Sequence, residues 1–449
     1  MKKLFTTLSN IWKIDDLRVR IINTLLFLLI YRVGSYVVLP GVNYASLDTQ
    51  KAKEGLVGLL NMFAGGSFSR ASIFALGVMP YISASIVVQL LGIAVPYFTK
   101  LQKEGESGRN KLNQWTRYLT IAITALQAVA YAKSQINPDQ ISPIMGVTMF
   151  RILAVFVLTA GTLFVMWLGE KITDKGIGNG ISLIIMVGII AQLPSAFLSE
   201  LDKRNSGQGG LITFIVEIVA LIGVVMFTIL IVQGTRKIAV QYAKRIVGNK
   251  QYGGVRQYIP LKVNAAGVMP IIFAQALMFI PATIPQFFPS LGTNSVVMSL
   301  SNYNSWAHNL LFAILIIVFT YFYTAITVNP NQMADDMKKN GGFIPGVKPG
   351  KSTAEFIDGV ISHITLPGSI FLAIIAIIPA FATMIGVTNV FARFFGGTSL
   401  IILVGVVLDT LQQIESHLLM RHYDGLMKTG RITGRTSIPT SAGSTPPVI

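Results

Sequence analysis

Residues Leu56 to Gly92 read LVGLLNMFAGGSFSRASIFALGVMPYISASIVVQLLG. They decide the fold because they begin with an apolar piece too short to cross a bilayer. A spanning helix needs about 20 apolar residues. Leu56 to Ala64 supplies nine before Gly65 and Gly66 interrupt it, glycine being the residue whose backbone turns at least steric cost. The spacing predicts a half-helix there and a full-length apolar run starting at Ile73. Irregular backbone survives at membrane depth only where protein buries it or it lines a cavity, so a broken apolar segment points to a pore or a transport site. The residues Gly77-Val78-Met79-Pro80 return as Gly267-Val268-Met269-Pro270, each time in the second span of one half, which suggests a duplicated architecture.

Working outward, the 449-residue chain is 52% hydrophobic and 12% charged, where a soluble domain carries about 25% charged residues. This composition predicts an all-α polytopic membrane protein. Ten segments are long and apolar enough to span: Ile21 to Leu39, Ile73 to Pro96, Tyr118 to Lys133, Met149 to Leu168, Ile181 to Leu198, Leu211 to Val232, Val263 to Ile284, Trp306 to Val328, Ile364 to Ile385 and Leu400 to Leu419. With loops assigned to alternate sides, 27 Lys and Arg residues share the side of the two tails and 8 lie opposite, with Arg32 inside the first span. The positive-inside rule then expects both termini in the cytoplasm. There is no cysteine, which excludes disulfides, thiolate chemistry and iron–sulfur clusters.

Residues 1–20 form a cytoplasmic N-terminal segment, and Leu4, Leu8 and Ile11 recur there near the spacing of an amphipathic interfacial helix. The polar stretch Asp202 to Gly210 leaves five spans on either side. An odd number of spans per repeat inverts the second copy, so the expectation is two pseudo-symmetric inverted halves, 21–200 and 201–420, meeting at the midplane. Lys100 to Arg117 reads as a solvated cytoplasmic hairpin. The cytoplasmic loop 234–262 holds Arg236, Lys237, Lys244, Arg245, Lys250, Arg256 and Lys262 without one acid, interleaved with Tyr242, Tyr252 and Tyr258. Such a surface suits RNA phosphates, rRNA included, or an acidic protein, with anionic lipid headgroups as the plainer alternative. The loop 329–360 reads as an ordered excursion, helical near Ala334 to Lys339 and turning tightly at Gly346 to Gly350. The tail 421–449 becomes Ser/Thr/Pro-rich and disordered in character beyond Arg431.

Nothing in the sequence assembles a catalytic, metal or cofactor site, and the expectation is no enzyme and no cofactor. Gly169 to Gly180, GEKITDKGIGNG, lacks the Lys-Ser/Thr ending of a phosphate-binding loop. Arg32, Glu217 and Asp409 are the well-separated charges inside spans. Intramembrane charge is expensive, so Arg32 is expected to pair with Asp409 or with backbone, a coupled-ion site being the functional alternative. Val78, Ile82 and Ile86 stand four apart and share one helix face. A row of branched aliphatic side chains closes a pore by dewetting, although such rows are also ordinary packing. A small-solute transporter, the rival class, would concentrate polar or ionisable groups at its midplane, whereas Val, Ile, Met and Gly line these broken segments.

Six separated motifs now carry a resemblance: LGVMPYISASIVVQLL, KEGESGR, MWLGEKITDKGIGNGIS, YIPLKVNAAGVMPIIFA, GGFIPGVKPGKSTAEFID and FGGTSLIILVGVVLDT. From about Leu17 to Lys428 the chain resembles the SecY family, the central subunits of bacterial protein-conducting channels. The resemblance implies translocation of unfolded secretory chains across the bacterial cytoplasmic membrane and lateral release of transmembrane segments into lipid. It makes residues 56–70 a plug, with Leu56, Leu59, Leu60, Asn61, Met62, Phe63, Ala64, Gly65, Gly66 and Arg70 as its named members. It makes Val78, Ile82, Ile185, Ile272 and Ile402 the pore ring. Across a lateral gate of the second and third spans against the seventh and eighth, it gives Ser83, Ser85, Gln89, Gln127 and Gln275 a role in holding the gate shut. Arg236, Lys237, Lys244, Arg245, Arg256 and Lys348 become docking residues for the motor ATPase SecA or the ribosome. SecE, SecG, signal sequences and membrane lipids are the other implied partners. Two departures stand out: Lys348 where the family commonly has arginine, and Arg236-Lys237 where it has an arginine pair. Lysine keeps the charge and loses the planar fork.

Overall fold

The computed structural model describes residues 12, 14–43, 55–143, 146–206, 210–242, 245–247, 250–252, 256–287, 294–302 and 305–428. In chain order the helices are α1 Asp15–Gly34, α2 Gly55–Phe63, α3 Met79–Ala94, α4 Pro96–Lys103, α5 Glu106–Ser134, α6 Val147–Lys175, α7 Gly180–Asn205 and α8 Gly210–Gln233, then α9 Met269–Phe287, α10 Ser295–Ser301, α11 Trp306–Thr327, α12 Pro330–Lys339, α13 Lys351–Met384, α14 Asn389–Ala392 and α15 Gly397–Lys428. Each of the ten predicted spans falls on one long helix (α1, α3, α5, α6, α7, α8, α9, α11, α13 and α15). Among the described residues, six helices alone meet the length and hydropathy of a membrane span, and the bent pair α3–α4 supplies a seventh. The interfacial helix expected within residues 1–20 falls largely outside the described residues, as does the tail beyond Lys428.

Two boundaries differ from the sequence reading. The second span is helical only from Met79, not from Ile73, because Gly77 adopts φ 55° and Pro80 sits in the first turn, where a missing N–H is tolerated. Sixteen residues of helix rise about 24 Å, short of the roughly 30 Å hydrocarbon core, and the irregular segment 64–78 supplies the remaining depth. The expected hairpin Lys100 to Arg117 is helical instead: α3 turns by 103° into α4, and α5 begins at Glu106 after Gly105 at φ 72°. The repeated motif behaves alike in both copies. Gly267 has φ 65° and α9 starts at Met269, the counterpart of Gly77 and Met79.

Three buried clusters organise the bundle. One lies wholly in the first half, around Leu39, Phe68, Tyr131, Phe150 and Leu158. A second lies in the other half, around Ile271, Met278, Phe312, Ile316, Leu372 and Ile401. The third joins them, with Met62, Phe63, Val78, Ile184 and Ile185 from one side packed against Phe391, Phe395, Ile402 and Val406 from the other.

The basic loop, read as a separate surface, is the larger part of a small sheet. β1 Thr235–Tyr242 pairs antiparallel with β4 Arg256–Lys262, and β5 Gly342–Phe343 from the second loop adds to the other edge of β1, giving the order β4-β1-β5. The strands β2 Arg245–Val247 and β3 Lys250–Tyr252 pair with each other beyond it. Ile238, Val240 and Leu261 pack beneath the sheet on Met337 of α12, Ile344 and Ile357 of α13. The helix over Ala334 to Lys339 and the Gly346–Gly350 turn occur as expected, with both glycines at positive φ. Val240 is fully buried. Val240→Asp is expected to cost about 3 kcal/mol and to expose loop 234–262 to limited proteolysis, while leaving the helical circular dichroism of the bundle unchanged.

Candidate functional site: a closed constriction and its plug

Four of the five expected ring residues, Ile82, Ile185, Ile272 and Ile402, line a single cavity together with Phe63, Met79, Ser83, Gln275, Ala276 and Thr398. The fifth, Val78, is buried in the cluster that all of them join. Ile86 is buried on the same helix face, one turn beyond the cavity wall. The four isoleucines come from α3, α7, α9 and α15, two helices from each half. The space offers about 10 Å³ to water centres, room for about one water molecule. Its apolar lining disfavours even that, since a dry void between aliphatic side chains is the stable state.

The segment expected as the plug abuts this constriction from one side. Phe63 stands in the cavity wall, and Asn61, Met62, Phe63 and Ala64 are buried. Leu60 is partly buried; Leu56 and Leu59 lie on α2, but their side chains fall outside the described residues. Two features allow α2 to lie so deep. Close approach comes from Gly188 of α7, where a Cβ would stand 2.6 Å from the Phe63 carbonyl oxygen and 3.1 Å from the Gly65 nitrogen. Backbone partners come from the rest of the segment and from neighbouring spans. Gln192 Nε2 donates to the Asn61 carbonyl at 2.7 Å, and the Asn61 side chain accepts from the Ser69 N–H at 3.0 Å. Gly66 N–H reaches Asn61, Ser72 N–H reaches Ser67, and the Tyr131 hydroxyl donates to Phe68 at 2.7 Å. From the second half, the Ser399 hydroxyl meets the Met62 sulfur at 3.3 Å. Gly188, Gln192, Thr398 and Ser399 were missed in the sequence. Glycine and single polar residues inside apolar spans are the one signal that marked them.

The gate-side polar residues divide. α3 and α5 both pack against α9, which brings the second and third spans to the seventh. The Ser83 hydroxyl, however, donates within its own helix to Met79 at 3.1 Å, and Gln89 Nε2 donates to Ser85 at 3.3 Å. Among the described residues, the side-chain hydrogen bonds of these three run along α3. Gln127 is partly buried. Gln275 is buried and lines the cavity together with Ser83, and its Nε2 has no hydrogen-bond partner among the described residues.

The intramembrane charges also resolve. Arg32 takes the backbone alternative, on the carbonyl of Gly65 at 2.8 Å; Asp409 is exposed elsewhere. Glu217 pairs with Arg204, which also holds Glu200 at 3.0 Å, all three buried. Arg204 and Lys203 further donate to the Gly386 carbonyl at 3.1 and 2.7 Å, and Thr388 N–H donates to Glu200 at 2.8 Å. Phe197, Phe214 and Phe391, each three residues from Glu200, Glu217 or Thr388, meet in edge-on and tilted ring contacts, so a polar and aromatic joint ties the two halves at the end of α7 and the start of α8. Its i, i+4 pair Glu200 and Arg204 was legible as a helix-face ion pair, but the chain there reads as the start of a polar loop.

Arg236, Lys237 and Arg256 project from the exposed positions of β1 and β4, with Tyr258 beside them, and Lys348 is exposed at the tip of the second loop. Lys244 lies outside the described residues, and of Arg245 only the backbone is described. Pairing of β1 with β5 sets both loops on one platform.

The comparisons with known proteins agree with this geometry. The SecY family model matches residues 72–411, more than half of the chain. The protein translocase subunit SecY of Streptomyces scabiei is 43% identical over 440 residues, covering 95% of this chain and all of that one. That of Mycobacterium tuberculosis H37Rv is 44% identical over 434 residues, covering 92% and 97%. In fold, the chain resembles a structure described as that of a protein conducting channel, at TM-score 0.62, 18% identity and coverage of 89% and 92%. It resembles canine Sec61 in its ribosome-channel complex equally, at TM-score 0.62 and 17% identity, again covering 89% and 92%. With a buried half-helix seated on a narrow isoleucine constriction and full-length relatives at this identity, the chain belongs to the SecY family of protein translocase channel subunits.

Proposed function

We propose that this protein-conducting channel rests closed through the ring of Val78, Ile82, Ile185, Ile272 and Ile402 with the plug 56–70 seated against it. The chain works in the bacterial cytoplasmic membrane with both termini in the cytoplasm. The observation that carries the reading is the single near-dry cavity shared by four isoleucines, two from each half, and Phe63 of the plug. An aliphatic ring makes no bond specific to any sequence, so it tolerates every passing side chain while refusing ions and water.

Opening requires the halves 21–200 and 201–420 to part between α3–α5 and α9, with the joint at Arg204 and Gly386 on the far side staying closed. A signal sequence supplies the work. Its apolar core of about 7 to 15 residues gains about 25 cal/mol per Å² on leaving water for the gate and lipid, which offsets the contacts that hold plug and ring. The unpartnered amide of Gln275 faces this same cavity, where an entering backbone would find a donor. Directional movement draws on partners: SecA or a translating ribosome on the platform of Arg236, Lys237, Arg256 and Lys348, with SecE and SecG alongside in the membrane.

Two measurements test these roles. Ile82→Gly with Ile272→Gly is expected to raise the resting ion conductance of the assembled channel in planar bilayers by at least about ten-fold; an unchanged baseline would remove these residues from the seal. Arg236→Glu with Lys237→Glu is expected to weaken SecA or ribosome binding by about ten-fold and to flatten its salt dependence. A binding isotherm identical to that of the unmodified channel at physiological salt would return this surface to topology alone.

A further inference from the structure

Arg32 is a charged residue within a span whose pairing is unusual. Its Nη1 donates to the carbonyl of Gly65 at 2.8 Å, and Arg70, from the chain just after the plug helix, donates through Nη2 to the same oxygen at 3.0 Å. Both guanidinium groups lie over the ring of Tyr36, their carbons 4.9 and 4.3 Å from its centroid, and Arg32 Nη2 also donates to the Tyr36 hydroxyl at 2.9 Å. Gly65 stands two residues past Phe63, the last residue of α2, where helix carbonyls lack partners and the helix dipole favours positive charge. Its φ of 63° turns the chain away from the helix, and a Cβ there would approach both Arg32 Nη1 and Gly188 Cα at 3.0 Å.

We propose that Arg32, Arg70 and Tyr36 form a latch that holds the plug shut through the carbonyl of Gly65, which makes Arg32 a positioning residue for gating. Arg32 belongs to the fixed frame of α1, while Gly65 belongs to the segment that must leave the constriction. Displacement of the segment therefore breaks the Arg32 bond, while Arg70, itself within 56–70, leaves with Gly65 and loses its place over Tyr36. Charged hydrogen bonds are the strong ones, and their loss is felt most where surroundings are apolar. Tyr36 holds Arg32 through its hydroxyl and offers its ring face to Arg70 of the seated segment, so the frame side of the latch, Arg32 with Tyr36, stays in place and can recapture the plug. This rests on the reading of α2 as the plug.

The test uses the full channel complex in planar bilayers. Arg32→Gln and Arg70→Gln are each expected to raise the resting conductance about ten-fold, and Tyr36→Phe by a smaller factor. Because both arginines act on one oxygen, the double variant should leak less than the product of the two single effects. Should Arg32→Gln fail to assemble, Arg32→Lys, which keeps the charge and loses the fork, carries the same readout. A second arm adds Met62→Cys with Ser399→Cys, side chains already in contact, joined by oxidation or a short bis-maleimide. Joining them should return the Arg32→Gln leak to its resting value. Unchanged conductance in both arginine variants, or a leak that persists with the plug tethered, would overturn the latch. A tether that leaves precursor translocation unimpaired would overturn the plug reading itself.

Discussion

The structure depends on one constraint: backbone that leaves the helix at membrane depth must find every hydrogen-bond partner inside the protein. Residues 64–78 meet it through their own turns, through the chain after α1, where Leu39 N–H donates to Ala71 and Ile73 N–H to Val37, and through Tyr131 and Arg32, while Gln192 serves the Asn61 carbonyl in the last turn of the half-helix before them. These partners sit on α1, α5 and α7, so the plug is framed by the first half. It reaches the second half through apolar contact and the Met62–Ser399 meeting.

Charge is placed by the same logic. Buried charge is tolerated when paired and becomes strongly destabilising when one partner is removed. The trio Glu200, Arg204 and Glu217 spends its pairing on joining α7 to α8, and with Gly386 and Thr388 on joining the two halves. The constriction, by contrast, carries no charged side chain among its lining residues. Between the two halves, the charged bonds gather at that joint, and the constriction is closed by weak, sequence-blind contacts.

Much of this was legible in the sequence. Ten apolar segments gave ten long helices, and the half-helix at Leu56 to Ala64 was visible because a nine-residue apolar piece cannot span. The repeated Gly-Val-Met-Pro motif pointed to duplication, and the matching break it makes before α9 came only with the structure. What stayed hidden was long-range. The partner of Arg32 is a backbone carbonyl, and no side chain announces a carbonyl. The platform sheet was signalled only by the alternation of Ile238 with Val240 and of Ile259 with Leu261, short enough to pass as loop. Periodicity named the aliphatic row on α3, but only the folded chain shows that Ile82 meets Ile185, Ile272 and Ile402. The partners of Ser83, Ser85 and Gln89 were equally hidden, since hydroxyl and amide groups within a helix can bond along their own turn, as these do in α3.

The most direct measurement exploits the absence of cysteine from the chain. A single cysteine replaces Ile82, a secretory precursor carrying its own single cysteine is arrested in mid-passage, and disulfide formation between the two is followed as the precursor cysteine is moved along its sequence. A polypeptide threading the isoleucine ring gives a crosslink confined to those precursor positions that the arrest point places at the constriction. No crosslink at any position, with the channel assembled and the precursor arrested, would mean that the chain takes another route and that the ring is packing alone.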